Sequence, residues 1–216
     1  PIVEIGQILK QHPAAYHVDA VQAIGKLPIH PEELGIDFLT ASAHKFHGPK
    51  GIGFLYASSM DFDSYLHGGD QEQKKRAGTE NLAAIVGMLA ALKEDLEKQE
   101  DNFEHVQNLE TAFLAELEDI QYYLNRGEHH LPYVLNIGFP GQKNDLLLLR
   151  LDLAGISIST GSACTAGIVQ SSHVLEAMYG ANSERLKESV RISLSPQNTV
   201  EDLQTLAKTL KEIIGG

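Results

Sequence analysis

Apolar residues recur along this chain in two rhythms. Between Asn81 and Glu118 they fall three or four apart: Leu82, Ile85, Leu89, Leu92 and Leu96, then Phe103, Val106, Leu109, Phe113 and Leu117. That spacing lines one side of a helix, so one long helix or two consecutive ones are predicted. Residues 2–12 repeat the rhythm through Ile2, Ile5, Ile8 and Leu9 and stop near His12-Pro13. Residues 144–154 form another predicted helix, with Asn144 as its candidate cap. Thr199 to Ile214 is the clearest one: Thr199 can cap it, Glu201 and Asp202 fill its first turn, and Gly215 follows it. Short apolar runs predict strands at Ala15 to Val18, stopping at Asp19, and at Asp37 to Ala43 and Gly51 to Ala57. Further strands are predicted at Tyr133 to Phe139, Ile156 to Ser159 and Val190 to Leu194.

Strands interleaved with helices predict an α/β fold with functional residues at strand ends. The pattern changes near residue 100, which predicts one domain over residues 1–100 and a smaller α/β domain over 101–216. Pro1 leads straight into an apolar-periodic stretch with no Met or cap, so the chain is expected to begin mid-protein.

Composition narrows the function classes. An apolar share of 43% in 216 residues can fill an ordinary core. A net charge of -12 argues against general affinity for nucleic-acid phosphates, and no direct nucleic-acid role is expected. No stretch approaches the roughly 20 apolar residues that span a bilayer, so no membrane role is expected either. No signal-peptide pattern opens the chain, and Cys164 is its only cysteine, so an intrachain disulfide is impossible. A cytoplasmic setting is the expectation. Histidines number ten, but no His-Glu-x-x-His pattern occurs and His129-His130 reads as an exposed turn; no metal site is expected.

Several polar segments interrupt the pattern. In Ser42-Ala43-His44-Lys45-Phe46-His47-Gly48-Pro49, a lysine follows an apolar strand and small residues that allow a ligand close approach. Taken alone, Lys45 also fits a solvated loop lysine. Asp19 ends a strand in Val18-Asp19-Ala20-Val21-Gln22, where it is a turn residue or the partner of a cationic ring nitrogen; Gln22 is within one helical turn of it. The glycines and hydroxyl of Arg76-Ala77-Gly78-Thr79-Glu80-Asn81 suit an anion site, and Thr79 equally suits a helix cap. Small residues surround Cys164 in Ser159-Thr160-Gly161-Ser162-Ala163-Cys164-Thr165, which reads as an accessible loop where thiolate chemistry is open. Arg191 alternates with Val190, Ile192 and Leu194 and so points away from them; it fits a surface ion pair or a bidentate carboxylate contact.

The segments around Asp19, Lys45, Thr79 and Cys164, in that order along essentially the whole chain, resemble the NifS/IscS-type cysteine desulfurases, fold-type I pyridoxal-phosphate enzymes of the class V aminotransferase family. The resemblance implies the remainder of a large cofactor-binding domain followed by a small C-terminal domain bearing the cysteine loop. It implies that Lys45 links pyridoxal 5'-phosphate, that Asp19 pairs with its ring nitrogen, and that Gln22 lies near its phenolic oxygen. Ser42, His44 and Thr79 match phosphate contacts, Thr79 across a homodimer. Arg191 matches the arginine that holds the substrate carboxylate, and Cys164 the residue that becomes a persulfide. L-cysteine is the implied substrate, and a sulfur-acceptor protein the implied partner, either an iron–sulfur scaffold or a tRNA-thiolation enzyme. A selenocysteine lyase, a class V aminotransferase and a non-catalytic partner-binding fragment are the alternatives. The family's threonine-containing phosphate loop, stacking histidine and phenolic-side asparagine have no counterpart here. The chain is therefore expected to be the C-terminal part of such an enzyme, with the isolated piece inactive. Thr160 stands where a serine is common in the family.

Overall fold

The computed structural model describes residues 1–161 and 172–215, so Cys164 lies outside the described residues. The chain divides into two compact units, Pro1–Asn102 and Phe103–Gly216. The α/β expectation is met in both.

The first unit holds a mixed sheet of β1 (His17–Asp19), β2 (Phe38–Ser42) and β3 (Gly53–Ala57), in that order among the described residues. β1 and β2 run parallel, with Asp19 opposite Thr40; β2 and β3 run antiparallel. Helix α1 (Ile2–Leu9) is shorter than predicted: the Lys10 amide bonds back to Gly6, and a turn leads into Pro13. α1 and the short α2 (Pro31–Leu34) cover one patch of core, where Tyr16, Val18, Ile36 and Leu39 are buried. A second patch gathers Ala41, Ala43 and Phe46 against Met88, Ala91 and Leu92 of α3 (Leu82–Glu97). The predicted long helical stretch breaks at Lys98 into α3 and α4 (Gln99–Glu116). Asn81, not Thr79, caps α3: its Oδ1 accepts the Ala84 amide (3.2 Å).

The second unit, beyond the first turn of α4, is an antiparallel sheet in the order β4-β5-β7-β6, formed by β4 (Tyr123–Leu124), β5 (Val134–Gly138), β6 (Ser159–Thr160) and β7 (Ser189–Ser193). Helices α5 (Asn144–Leu153), α6 (His173–Tyr179), α7 (Arg185–Glu188) and α8 (Val200–Gly215) complete it. Leu135, Ile137, Val190 and Ile192 line one sheet face and pack with Leu109 and Phe113 of α4, Leu151 of α5 and Leu210 of α8 in one continuous core.

Local chemistry corrects several expectations. Asn144 does not cap α5. Its side chain donates instead to the carbonyls of Leu186 (3.2 Å) and Ser189 (3.0 Å), tying the helix start to β7. Residues 156–158 are not strand: the Ile156 amide closes the end of α5 on Leu151 O, and Ile156 and Ile158 turn into the core. Gly215 lies inside α8 rather than beyond it, in a helix whose Ile213 and Ile214 still pack on the core. Thr199 does cap α8: its Oγ1 accepts the Asp202 amide (3.2 Å), while Asp202 accepts the Thr199 amide (3.0 Å).

Candidate functional site

Because β1 and β2 are parallel, their carboxyl ends open on the same edge of the sheet. That edge is where ligands sit in open α/β sheets. Asp19 is the last residue of β1, exposed, and its Oδ1 accepts the Val21 amide (3.0 Å), which starts a helical turn through Ala20 to Leu27. The second carboxylate oxygen accepts no hydrogen bond from another described residue. Gln22, also exposed, rides on that turn.

β2 ends at Ser42 and passes into a single 3-10 turn, Ala43–Lys45. The Phe46 and Gly48 amides both bond to Ala43 O (3.0 and 2.8 Å), and His47 takes a left-handed φ of 64°, so the chain doubles back tightly just after Lys45. The buried Ala43 and Phe46 anchor the turn while His44 stands exposed and Lys45 half-buried. Among the described residues, Lys45 has no hydrogen bond and no ion pair. Asp19, Gln22, Ser42, His44 and Lys45 thus leave neighbouring strands at one edge.

A charged group the sequence reading missed adjoins them. Lys26 is half-buried, and its Nζ donates to Gln22 Oε1 (3.3 Å). Burial pushes the Lys26 ammonium below its ordinary value, Lys45 pushes it the same way, and Asp95 on α3 opposes both. Asp95 itself is pushed up by burial, against the pull of His47, whose Nδ1 lies 3.4 Å from Asp95 Oδ1. Gly25 permits this packing: its φ is +78°, and a Cβ there would meet Asp95 Oδ2 at 3.0 Å. The four-residue spacing of Gln22 and Lys26 was the available signal.

Thr79 is exposed, in the segment after the bridge of Leu66 with Arg76. The Gly78 amide beside it is held by Gln71 Oε1 (3.0 Å).

In the second unit, Arg191 sits on β7 between Asn136 of β5 and Ser159 of β6, on the face opposite Val190 and Ile192. It is half-buried, and its guanidinium has no hydrogen-bond or ion-pair partner among the described residues. Its neighbours are locked instead. Asn125 donates to Asn136 Oδ1 and Ser189 Oγ (2.8 Å each), and Arg185 donates to Asn125 Oδ1 (3.0 Å). Of the two readings, a surface ion pair and a bidentate carboxylate contact, the first is not formed among the described residues, which leaves a flanked cation able to receive a carboxylate.

The predicted exposed turn at His129-His130 carries more than solvent contacts. Arg126 donates to the buried Glu110 and to His130 Nε2 (2.7 Å), a cluster that pins this turn to α4.

Comparison with known proteins finds relatives along the whole chain. The chain is 48% identical over 218 residues to "Putative cysteine desulfurase IscS 1" of Bacillus subtilis, covering 99% of this chain and 58% of that relative. It is 39% identical to the cysteine desulfurase IscS of Dictyoglomus turgidum, covering 99% of this chain and 55% of that one. A solved NifS-like protein superposes with a TM-score of 0.88 at 33% identity, covering 100% of this chain and 57% of that chain. The chain therefore spans little more than half the length of the relatives it matches. The family described as "Aminotransferase class-V" matches residues 1–206. The chain belongs to the class V aminotransferase family.

Proposed function

We propose that this chain carries the cofactor lysine and the sulfur-accepting cysteine of a pyridoxal-phosphate-dependent cysteine desulfurase. The observation that carries the reading is Lys45, without a hydrogen bond or ion pair among the described residues, on the turn after β2, beside the carboxyl end of parallel β1, where one Asp19 oxygen accepts no hydrogen bond from another described residue. A cofactor with an aldehyde, a basic ring nitrogen and a phosphate fits that donor set: an amine for the aldehyde, a carboxylate for the ring nitrogen, and Ser42 with His44 for phosphate oxygens. Bound there, pyridoxal phosphate supplies an electron sink for the substrate's Cα carbanion.

The protein's own groups do the rest. Lys45 holds the cofactor and, once released by the incoming amine of L-cysteine, carries the Cα proton. Asp19 keeps the ring nitrogen protonated, and Gln22 faces the phenolic oxygen. Arg191 receives the substrate carboxylate bidentately. The Cys164 thiolate attacks the substrate sulfur: the S–S bond of a persulfide forms, the substrate C–S bond breaks, and its electron pair stays with the carbon skeleton, which leaves as alanine after protonation. The persulfide sulfur then passes to an acceptor protein, an iron–sulfur scaffold or a tRNA-thiolation enzyme. Thr79 serves the phosphate of the partner in a homodimer. The lone cysteine, needed as a thiol, suits the cytoplasm.

Borohydride reduction of the natural protein loaded with the cofactor, followed by peptide mapping, tests the reading. The label is expected on Lys45, and Lys45→Ala should abolish both the visible band and turnover with cysteine. A label on Lys50 would overturn the assignment.

A further inference from the structure

We propose that Lys26 is a positioning residue for the Lys45 site, acting through Gln22. This rests on the reading of Lys45 and Gln22 as cofactor residues and adds a part to it.

An ammonium group has three donors and no acceptor, so the Gln22 atom that faces Lys26 Nζ at 3.3 Å must be the amide oxygen. The contact removes the ambiguity of amide orientation: with Oε1 bound, Nε2 keeps both of its N–H donors for an outside acceptor. A Gln free to rotate would offer either end to a phenolic oxygen, and one end repels it. Lys26 therefore selects the useful orientation before any ligand arrives.

The setting of Lys26 suits that task. It lies one turn after Gln22 on the segment whose first amide is held by Asp19. Its ammonium is half-buried, and charges on other elements act on it. One is Lys45 on the turn after β2, which repels it; another is Asp95 on α3, which attracts it and is itself attracted by His47. Asp95 offsets part of the repulsion that Lys45 exerts on Lys26.

A donor at the phenolic oxygen favours the unprotonated form of the linkage that Lys45 makes. Losing the fixed Gln22 donor should therefore raise the pH at which the visible band changes. In the natural protein loaded with pyridoxal phosphate, Lys26→Met should move that midpoint up by about one pH unit, the size a single close charged or hydrogen-bonded neighbour commands. Lys26→Arg, again donor-only, should keep the parental midpoint. Gln22→Leu should reproduce the Lys26→Met shift, and the double variant should show the same shift rather than a sum. A lysine acting only by its charge on Lys45 would raise the midpoint in Lys26→Met and raise it again in the Gln22→Leu background, and a merely structural lysine would change melting temperature and leave the midpoint in place. An unmoved midpoint in Lys26→Met, or additive shifts in the double variant, would overturn the role. If the unsubstituted protein forms no lysine-linked visible band, the reading of Lys45 falls first and takes this inference with it.

Discussion

Helices α3 and α8 are each sixteen residues long, and their fates differ completely. α8 buries Leu203, Leu206, Ala207 and Leu210 in the continuous core of the second unit. α3 buries no residue, and it leaves Leu82 69%, Val86 66% and Leu89 63% exposed. The same contrast holds for the units around them. The second unit closes one sheet face with α4, α5 and α8, while the first splits its core into two small patches. The candidate cofactor residues belong to the less closed unit, where strand ends and turns stay open to a ligand. A helical rhythm states that one face is apolar; what covers that face depends on the rest of the fold.

The largest test of this contrast is a matched pair of truncations. Leu210→Ala removes a side chain with no exposed surface and should cost about 2–5 kcal/mol in denaturant melts. Leu89→Ala, cut from the open side of α3, should stay within about 0.5 kcal/mol. Equal losses would break the contrast and show that the α3 stripe is covered in solution. The cover would then be visible as a change of oligomeric state in Leu89→Ala.

A smaller effect is expected at the polar edge of the closed unit. Glu110 is buried, and Arg126 and His130 reach it from a turn that keeps access to water. Glu110→Ala should leave the Arg126 charge without its carboxylate and cost about 1–3 kcal/mol, below the figure for a fully buried pair because the guanidinium can rehydrate. Hydrogen exchange should rise at residues 126–130. An unchanged exchange pattern would show that the cluster does not hold the turn.

The parts of the fold that were legible in the sequence are those decided by short range. α8 carries both a clean period and a cap in adjacent residues, and β7 alternates so that Arg191 must face away from Val190 and Ile192. The four-residue α7, the two-residue β4 and the seven-residue α6 escaped, because so few residues cannot establish a period. Asn144 misled for a different reason: a cap residue by type, it spends its donors on carbonyls more than forty positions away. In the candidate site, the placing of Asp19 and Lys45 at strand ends was legible from the apolar runs before them. Lys26 was not, because its meaning lies in Asp95 and Lys45 converging on it from elements far along the chain.

Tyr123 offers the finest test of how closed the second unit is. Its hydroxyl donates to Glu188 Oε2 (3.0 Å), and Arg185 stacks 4.2 Å over its ring. The fit is tight enough that residue 138 must be glycine, since a Cβ there would meet the ring at 2.2 Å. Burial first, and then the Glu188 carboxylate, push the phenol from its ordinary value of 10.0 up to about 12, while Ser189 and Arg185 pull the other way. The folded chain therefore holds this proton in a window where the unfolded chain has lost it. The resulting stabilisation is fully present below pH 10.0 and is lost as pH rises towards about 12. Tyr123→Phe keeps the ring under Arg185 and removes the titration. The natural protein should lose stability more steeply than Tyr123→Phe across that alkaline window, and the variant should be weaker below it by about 1 kcal/mol for the lost hydrogen bond. Parallel stability curves in the two proteins would mean that water reaches the Tyr123 hydroxyl, and that the closed unit opens at this edge.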